Sequence, residues 1–329
     1  MAQIEHIGAG SIGRLADILA ALAPRRVFLV SGKSSFADSG AAPHVMRATA
    51  GMDVLHFTDF GRLPLHEDIQ KGIEVYQVFS PDVVVAVGGG HVIDVAKAIN
   101  HYTAKRPLVA IPTTAGSGSQ ATRFAVVYKD GQKSSLESDD ILPAFAIVDS
   151  ALAASLPAQV AAASALDALC QSVESLWSRG ATAESRGYAD RALELLVPNI
   201  VAAVERRDPA ALEVVAKAAH LAGKAINISK TTACHAFSYG LTYRFGVPHG
   251  MAVAVFLPAV WRHNDFTHAI SLEELEDLLK RFGITTLSRF GVSAGDIESL
   301  AAQVNTERLG NNPRPFSDEE VIRLFRALL

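Results

Sequence analysis

Apolar positions fall into two regimes along the chain. Up to about residue 150, short apolar runs alternate with helix-spaced patterns; beyond it, Ala, Leu and Val recur at helical spacing with almost no strand signal. In the first regime, residues 12–22 have a helical pattern, and Arg26-Val-Phe-Leu-Val-Ser-Gly32 reads as a buried strand running into a turn. Val54-Leu-His-Phe57 is a shorter strand, and residues 67–79 have helical spacing. Asp82-Val-Val-Val-Ala-Val87 is the clearest strand, mostly β-branched and apolar, as expected of a parallel strand covered on both faces. It ends in Gly88-Gly-Gly90 and passes into a helix over 91–100. Leu108-Val-Ala-Ile111 ends in Pro112-Thr-Thr-Ala-Gly-Ser-Gly-Ser119, and residues 144–149 supply one more strand. This alternation predicts an open α/β sheet with ligand loops at the carboxyl ends of its strands.

The second regime predicts helices over 157–177, 184–206 with Pro198 as a kink or break, 210–228 and 272–282. The expected organisation is therefore an α/β dinucleotide-binding domain over 1–150 and an all-α metal and substrate domain over 151–329. A length of 329 residues with 49% apolar content suits two ordinary cores. The longest apolar run, 251–261, is too short to span a bilayer and contains Pro258, and the first residues lack a leader pattern. A cytoplasmic protein without a membrane partner is expected. A net charge of −4 with interspersed signs excludes a general nucleic-acid footprint, so any anionic ligand must be met by local cations. The two cysteines, Cys170 and Cys234, suggest no disulfide framework and suit small buried side chains.

Two stretches carry candidate chemistry. His235 and His249 lie fourteen residues apart in an apolar helical region, and Asp167 and Gln171 are four apart on one helix. One carboxylate and two imidazoles suit a divalent metal with an open position, although each residue alone is equally at home as a cap or a satisfied core group. Gly88-Gly-Gly90, between a strand and a helix N-terminus, suits a phosphate; a tight structural turn explains it about as well. The second loop, Thr113-Thr-Ala-Gly-Ser-Gly-Ser119, adds hydroxyls at another strand end, and two such loops favour a dinucleotide.

Gly88-Gly-Gly-His-Val-Ile-Asp-Val-Ala-Lys97, Pro112-Thr-Thr-Ala-Gly-Ser-Gly-Ser119, Asp167-Ala-Leu and Val247-Pro-His-Gly250, in that order, resemble the iron-dependent, or group III, alcohol dehydrogenases of the dehydroquinate synthase-like fold. The resemblance covers nearly the whole chain and implies an NAD(P)H-linked enzyme carrying Fe2+ or Zn2+. It places Gly89 and Gly90 at the pyrophosphate, Gly88 beside them in the cofactor site, and Asp94 near the nicotinamide side. Thr113, Thr114 and Ser117 fall at phosphate or ribose, and Lys133 at the cofactor. Gly32 and Ser34 lie in the loop after the first strand, where Ser31-Gly-Lys-Ser34 has no acid for an adenosine ribose, which tilts the expectation towards NADPH. The resemblance implies metal ligands Asp167, His235 and His249, with Gln171 standing where the family has a histidine. Tyr239 replaces a histidine thought to relay protons, and as a phenol it is the poorer shuttle near neutrality.

Residues 222–239 and Asn305-Thr-Glu-Arg-Leu-Gly-Asn-Asn-Pro313 look like the branch containing phosphonoacetaldehyde reductases. The implied substrate is a small anionic aldehyde or its alcohol, with Lys230 as the cation that meets the anion and a homodimer or higher homo-oligomer as the assembly. A sugar-phosphate cyclase of the dehydroquinate synthase type, or a nucleotide-binding protein that has lost its metal, are the alternatives.

Overall fold

The computed structural model describes residues 3–329, the side chain of Gln132 excepted. Six parallel strands form one sheet in the order β1-β8-β5-β4-β2-β3: β1 Ile4–Ile7, β2 Arg26–Ser31, β3 Asp53–Phe57, β4 Val83–Gly88, β5 Leu108–Pro112 and β8 Phe145–Val148. Strands β6 Phe124–Lys129 and β7 Gln132–Glu137 make a separate antiparallel hairpin. Helices α1 Arg14–Leu22, α2 Ser35–Asp38, α3 Ala41–Ala48, α4 His66–Phe79 and α5 Gly90–His101 link the strands. The period-2 rule divides β2 cleanly: Phe28 and Val30 face one core with residues of α4 and α5, while Val27 and Leu29 face the other with residues of α1 and α3. Because both faces are covered, every residue of β4 is buried, which explains its unbroken apolar run.

From residue 158 the chain is helical: α6 Ala158–Trp177, α7 Ala183–Glu205, α8 Pro209–Ser229, α9 Ala233–Phe245, α10 His249–Ala254, α11 Leu257–Asn264, α12 Leu272–Arg281, α13 Ile297–Ala301, α14 Thr306–Gly310 and α15 Asp318–Ala327. Helix α6 is the axis of this layer, buried almost continuously from Ala162 to Trp177. Small residues such as Ala189, Ala192, Ala218 and Ala222 let α7 and α8 pack closely in the same core. Thr182 caps α7 through a capping box, and Asp208 caps α8 ahead of Pro209. Of the kink or break expected at Pro198, the break does not occur: α7 runs through it. No helix among the described residues is long and apolar enough to cross a membrane.

The chain leaves β2 for β3 on one side and β4 for β5 on the other, so the sheet's order reverses between β2 and β4. A crevice for a ligand opens at the carboxyl ends of strands on either side of such a switch. The helical layer meets the sheet there.

Candidate active site

Helix α6 presents Asp167, Gln171 and Glu174 at i, i+4 and i+7, along one side and buried. Helix α9 brings His235 to this side, and α10 begins with His249. The approach of α10 depends on Gly250, because a Cβ there would lie 1.8 Å from the Ala163 carbonyl oxygen of α6. One donor atom from each of Asp167, His235 and His249 lies within 4.8 Å of the others. His235 Nε2 is 3.3 Å from Asp167 Oδ1, and the imidazoles of His235 and His249 meet edge to face at 5.4 Å.

Glu174 organises this cluster. Its Oε1 accepts from Thr232 N–H (3.1 Å), Thr232 Oγ1–H (2.8 Å) and Cys234 N–H (2.8 Å), which ties the start of α9 to α6. Its Oε2 pairs with His235 Nδ1. With the Nδ1 proton held by Glu174, Nε2 is the atom that faces the Asp167 carboxylate, and a cation, a proton or a metal ion in its stead, belongs between them. Burial alone would lower the His235 pKa, but Glu174 and Asp167 carry it up to about 9, so the pocket demands positive charge. Burial would raise the Asp167 carboxyl, yet His235 and His249 hold it below its ordinary value. Burial pushes His249 down to about 4, which keeps its ring neutral and its lone pair free for a metal. Gln171 Oε1 is a buried acceptor without a partner among the described residues. One helical turn from Asp167, it can serve a hard cation as a fourth, neutral donor. The donor set therefore fits a divalent ion.

The glycine loops face this cluster. Gly89 caps α5 in extended conformation, and a Cβ on Gly90 would come within 2.6 Å of the Ser117 side chain, so the two loops touch. Thr113 N–H donates to the Gly88 carbonyl (2.9 Å), while its hydroxyl is buried and unpartnered among the described residues, as a ligand-facing donor would be. Thr114 and Ser117 are partly buried beside it. Gln171 Nε2 donates to the Ser117 carbonyl at 3.1 Å, a direct link between the loop and the metal helix. Asp94 is buried in α5, accepting from Ser119 Oγ–H (2.5 Å) and Val126 N–H (3.1 Å), so it also staples the hairpin to the loop. Gly32 and the exposed Ser34 lie past the end of β2, where Ser31 Oγ is 2.7 Å from His56 Nε2 of β3.

Lys133, on β7, reaches the cluster: its Nζ stands 3.5 Å over the Tyr239 ring, which stacks on His249 at 6.2 Å. Burial pushes the Tyr239 phenol above its ordinary pKa, so the hydroxyl keeps its proton across the neutral range. Lys230 is a correction to the expectation. Its ammonium pairs with Glu137 (2.6 Å) and Glu307 (3.4 Å) and is not free to meet an anion. Two residues went unread in the sequence. Glu174 had a signal, since it continues the Asp167 and Gln171 face by one turn. Arg308, buried near Lys133, had none beyond its place in the Asn305–Pro313 stretch.

A nucleotide-type sheet facing a buried Asp–His–His cluster across one crevice defines a class, the metal- and dinucleotide-dependent oxidoreductases. Residues 4–150 match the family described as iron-containing alcohol dehydrogenase, and residues 161–283 match its C-terminal counterpart, Fe-containing alcohol dehydrogenase family, C-terminal. The chain belongs to the iron-containing alcohol dehydrogenase family. Among its relatives, a phosphonoacetaldehyde reductase of Streptomyces viridochromogenes is 35% identical over 60% of this chain and 56% of that protein. An NADPH-dependent butanol dehydrogenase of Clostridium saccharobutylicum is 28% identical over 98% and 95%. Among solved structures, the sulfoacetaldehyde reductase of Bifidobacterium kashiwanohense in complex with NAD+ superposes with a TM-score of 0.90 at 28% identity, covering 99% of this chain and 96% of that one. A 1,3-propanediol oxidoreductase superposes at 0.91 with 26% identity, covering 99% and 98%.

Proposed function

We propose that this chain is a metal-dependent, NAD(P)H-linked reductase that interconverts a small anionic aldehyde and its alcohol, with residues 1–150 as the dinucleotide domain and 151–329 as the metal and substrate domain. The observation that carries the reading is the convergence of Asp167, His235 and His249 beside Gln171, whose side chain touches the Thr113–Ser119 loop. Bound there, a divalent ion supplies Lewis-acid polarisation of a carbonyl oxygen and NAD(P)H supplies the hydride.

The chain's own residues position and exclude water. Glu174 fixes the tautomer and direction of His235. Gly88, Gly89, Gly90, Thr113, Thr114 and Ser117 hold pyrophosphate and ribose against the N-terminus of α5. Tyr239 keeps its proton and walls the site, which leaves proton delivery to water or a ribose hydroxyl. The preference for an anionic aldehyde is supported by likeness to reductases named for phosphonoacetaldehyde and sulfoacetaldehyde. NADPH is the expected cofactor, because the loop after β2 offers no carboxylate and carries an exposed Lys33.

The test is metal analysis joined to NADPH and NADH oxidation with phosphonoacetaldehyde, sulfoacetaldehyde and butanal. One divalent ion per chain is expected, with turnover lost on chelation and restored by Fe2+ or Zn2+. Turnover that survives complete removal of metal overturns the reading.

A further inference from the structure

An anionic substrate needs a cation that no carboxylate already neutralises, and most cations near the crevice fail that condition. Lys230 is held by Glu137 and Glu307. Arg123 pairs with Asp139 at 3.0 Å and Glu137 at 3.4 Å, and Arg244 with Asp296 at 3.4 Å. Lys97 is buried against the Thr122 and Phe124 carbonyls and has Asp94 as its counter-charge.

Arg308 differs. It is 3% exposed and makes no ion pair among the described residues. Its Nη1 is buried without a partner, and Nη2 reaches only Ser135 Oγ at a long 3.5 Å. Its guanidinium lies 5.2 Å from the Phe124 ring centroid, so one of its faces is sheltered by an aromatic ring. Lys133, two residues before Ser135, sets its amine over the ring of Tyr239. Tyr239 stacks on His249, so Lys133 stands one aromatic ring away from the ligand cluster. The position is fixed by the backbone. Asn305 N–H donates to the Ala236 carbonyl of α9 at 3.3 Å, and Asn305 Oδ1 accepts from Arg308 N–H at 2.8 Å, so α14 is moored beside the helix that carries His235 and Tyr239.

A buried guanidinium with an unmet donor is costly unless something answers it. Burial first, and repulsion from Arg308 next, push the Lys133 ammonium well below its ordinary pKa, so the charge held in this corner is that of Arg308. We propose that Arg308 forms a subsite for the tetrahedral phosphonate or sulfonate head of the substrate, and that this subsite sets the preference for anionic over neutral aldehydes. The inference rests on the reading of the crevice as a small-aldehyde site. The oxygens of the head accept from Arg308 Nη1–H, a charge-assisted geometry that a neutral aldehyde cannot use.

Methylphosphonate is the probe, titrated calorimetrically into the metal-loaded protein and used as an inhibitor of butanal reduction. Wild type is expected to bind it and to show inhibition competitive with the aldehyde. Arg308→Met should lose that binding and lower kcat/KM for phosphonoacetaldehyde about 10 to 150-fold, with butanal within about threefold and the NADPH KM unchanged. Should Arg308→Met fold poorly, Arg308→Lys keeps a charge without the fork and is expected to lose about tenfold on the anionic aldehyde alone. Wild type that does not bind methylphosphonate, or variants that lose phosphonoacetaldehyde and butanal equally, overturn the subsite while leaving the reductase reading intact. Inhibition competitive with NADPH also overturns it, by assigning Arg308 to the cofactor. Absence of any aldehyde turnover sinks the reductase reading instead, and the calorimetric titration still decides the subsite.

Discussion

Glu174→Gln is the sharpest probe of the metal site, because it changes one charge and almost no volume. Four donors, from Thr232 N–H, Thr232 Oγ1–H, Cys234 N–H and His235 N–H, converge on Oε1, so the new amide must keep its oxygen there and turn its NH2 towards His235 Nδ1. A donor facing Nδ1 forces the imidazole into the other tautomer. The proton then sits on Nε2, the atom 3.3 Å from Asp167 Oδ1, and closes the lone pair that a cation needs. Loss of a charge-assisted bond is worth about 1.5–3 kcal/mol, and loss of an outer partner to a ligating histidine costs about 10 to 100-fold in metal affinity; the two figures agree. Competition titration against a chelator should show that weakening, with circular dichroism and thermal unfolding confirming a folded variant. Activity should return as metal is raised, since the reacting groups are untouched. A folded Glu174→Gln protein that binds metal as tightly as wild type would refute the tautomer argument.

Gly250→Ala should displace α10 from α6, because the added methyl meets the Ala163 carbonyl at 1.8 Å and neither backbone can yield cheaply. A loss of about 1–3 kcal/mol in urea unfolding, together with fewer than one ion per chain by elemental analysis, is expected; full metal occupancy would contradict it. Glu5→Gln probes the seam between sheet and helical layers, where Glu5 of β1 meets Lys224 Nζ at 2.9 Å and His220 Nε2 at 3.3 Å of α8. The facing His220 imidazole, opposed by burial and aided by Lys224, lowers the Glu5 pKa to about 2. A carboxylate depressed on folding contributes stability above its unfolded value and loses it as pH falls. Wild type should therefore exceed Glu5→Gln by about 1 kcal/mol at pH 7 after allowance for solvent screening, with the gap closing between about pH 4.5 and 2. A gap that stays constant across that range would rule the ion pair out as its source.

Local order was legible in the residue pattern wherever one segment decides its own structure. The run of β4 into Gly88, Gly89, Gly90 and α5 reads directly, because burial on both faces demands unbroken β-branched residues and a helix start next to a strand demands small ones. Asp167, His235 and His249 were legible as candidates, since their residue types and spacing limit the chemistry. The β6–β7 hairpin escaped, although Asp130 and Gly131, with φ of 51° and 76°, form the turn that a hairpin favours; β6 is apolar, but its partner β7, Gln-Lys-Ser-Ser-Leu-Glu, is polar, so apolar periodicity does not mark the pair. What only the tertiary structure decided is which charges meet. Lys230 sits five residues before His235 yet spends its charge on Glu137 and Glu307, 93 and 77 positions away. Glu174 finds His235 across 61 positions, and Arg308 reaches Ser135 across 173. Electrostatic partnership depends on distances of a few ångströms through space, which chain folding sets and sequence separation does not record; a lysine near a ligand in sequence can thus be neutralised, while an arginine far along the chain stays uncompensated beside it.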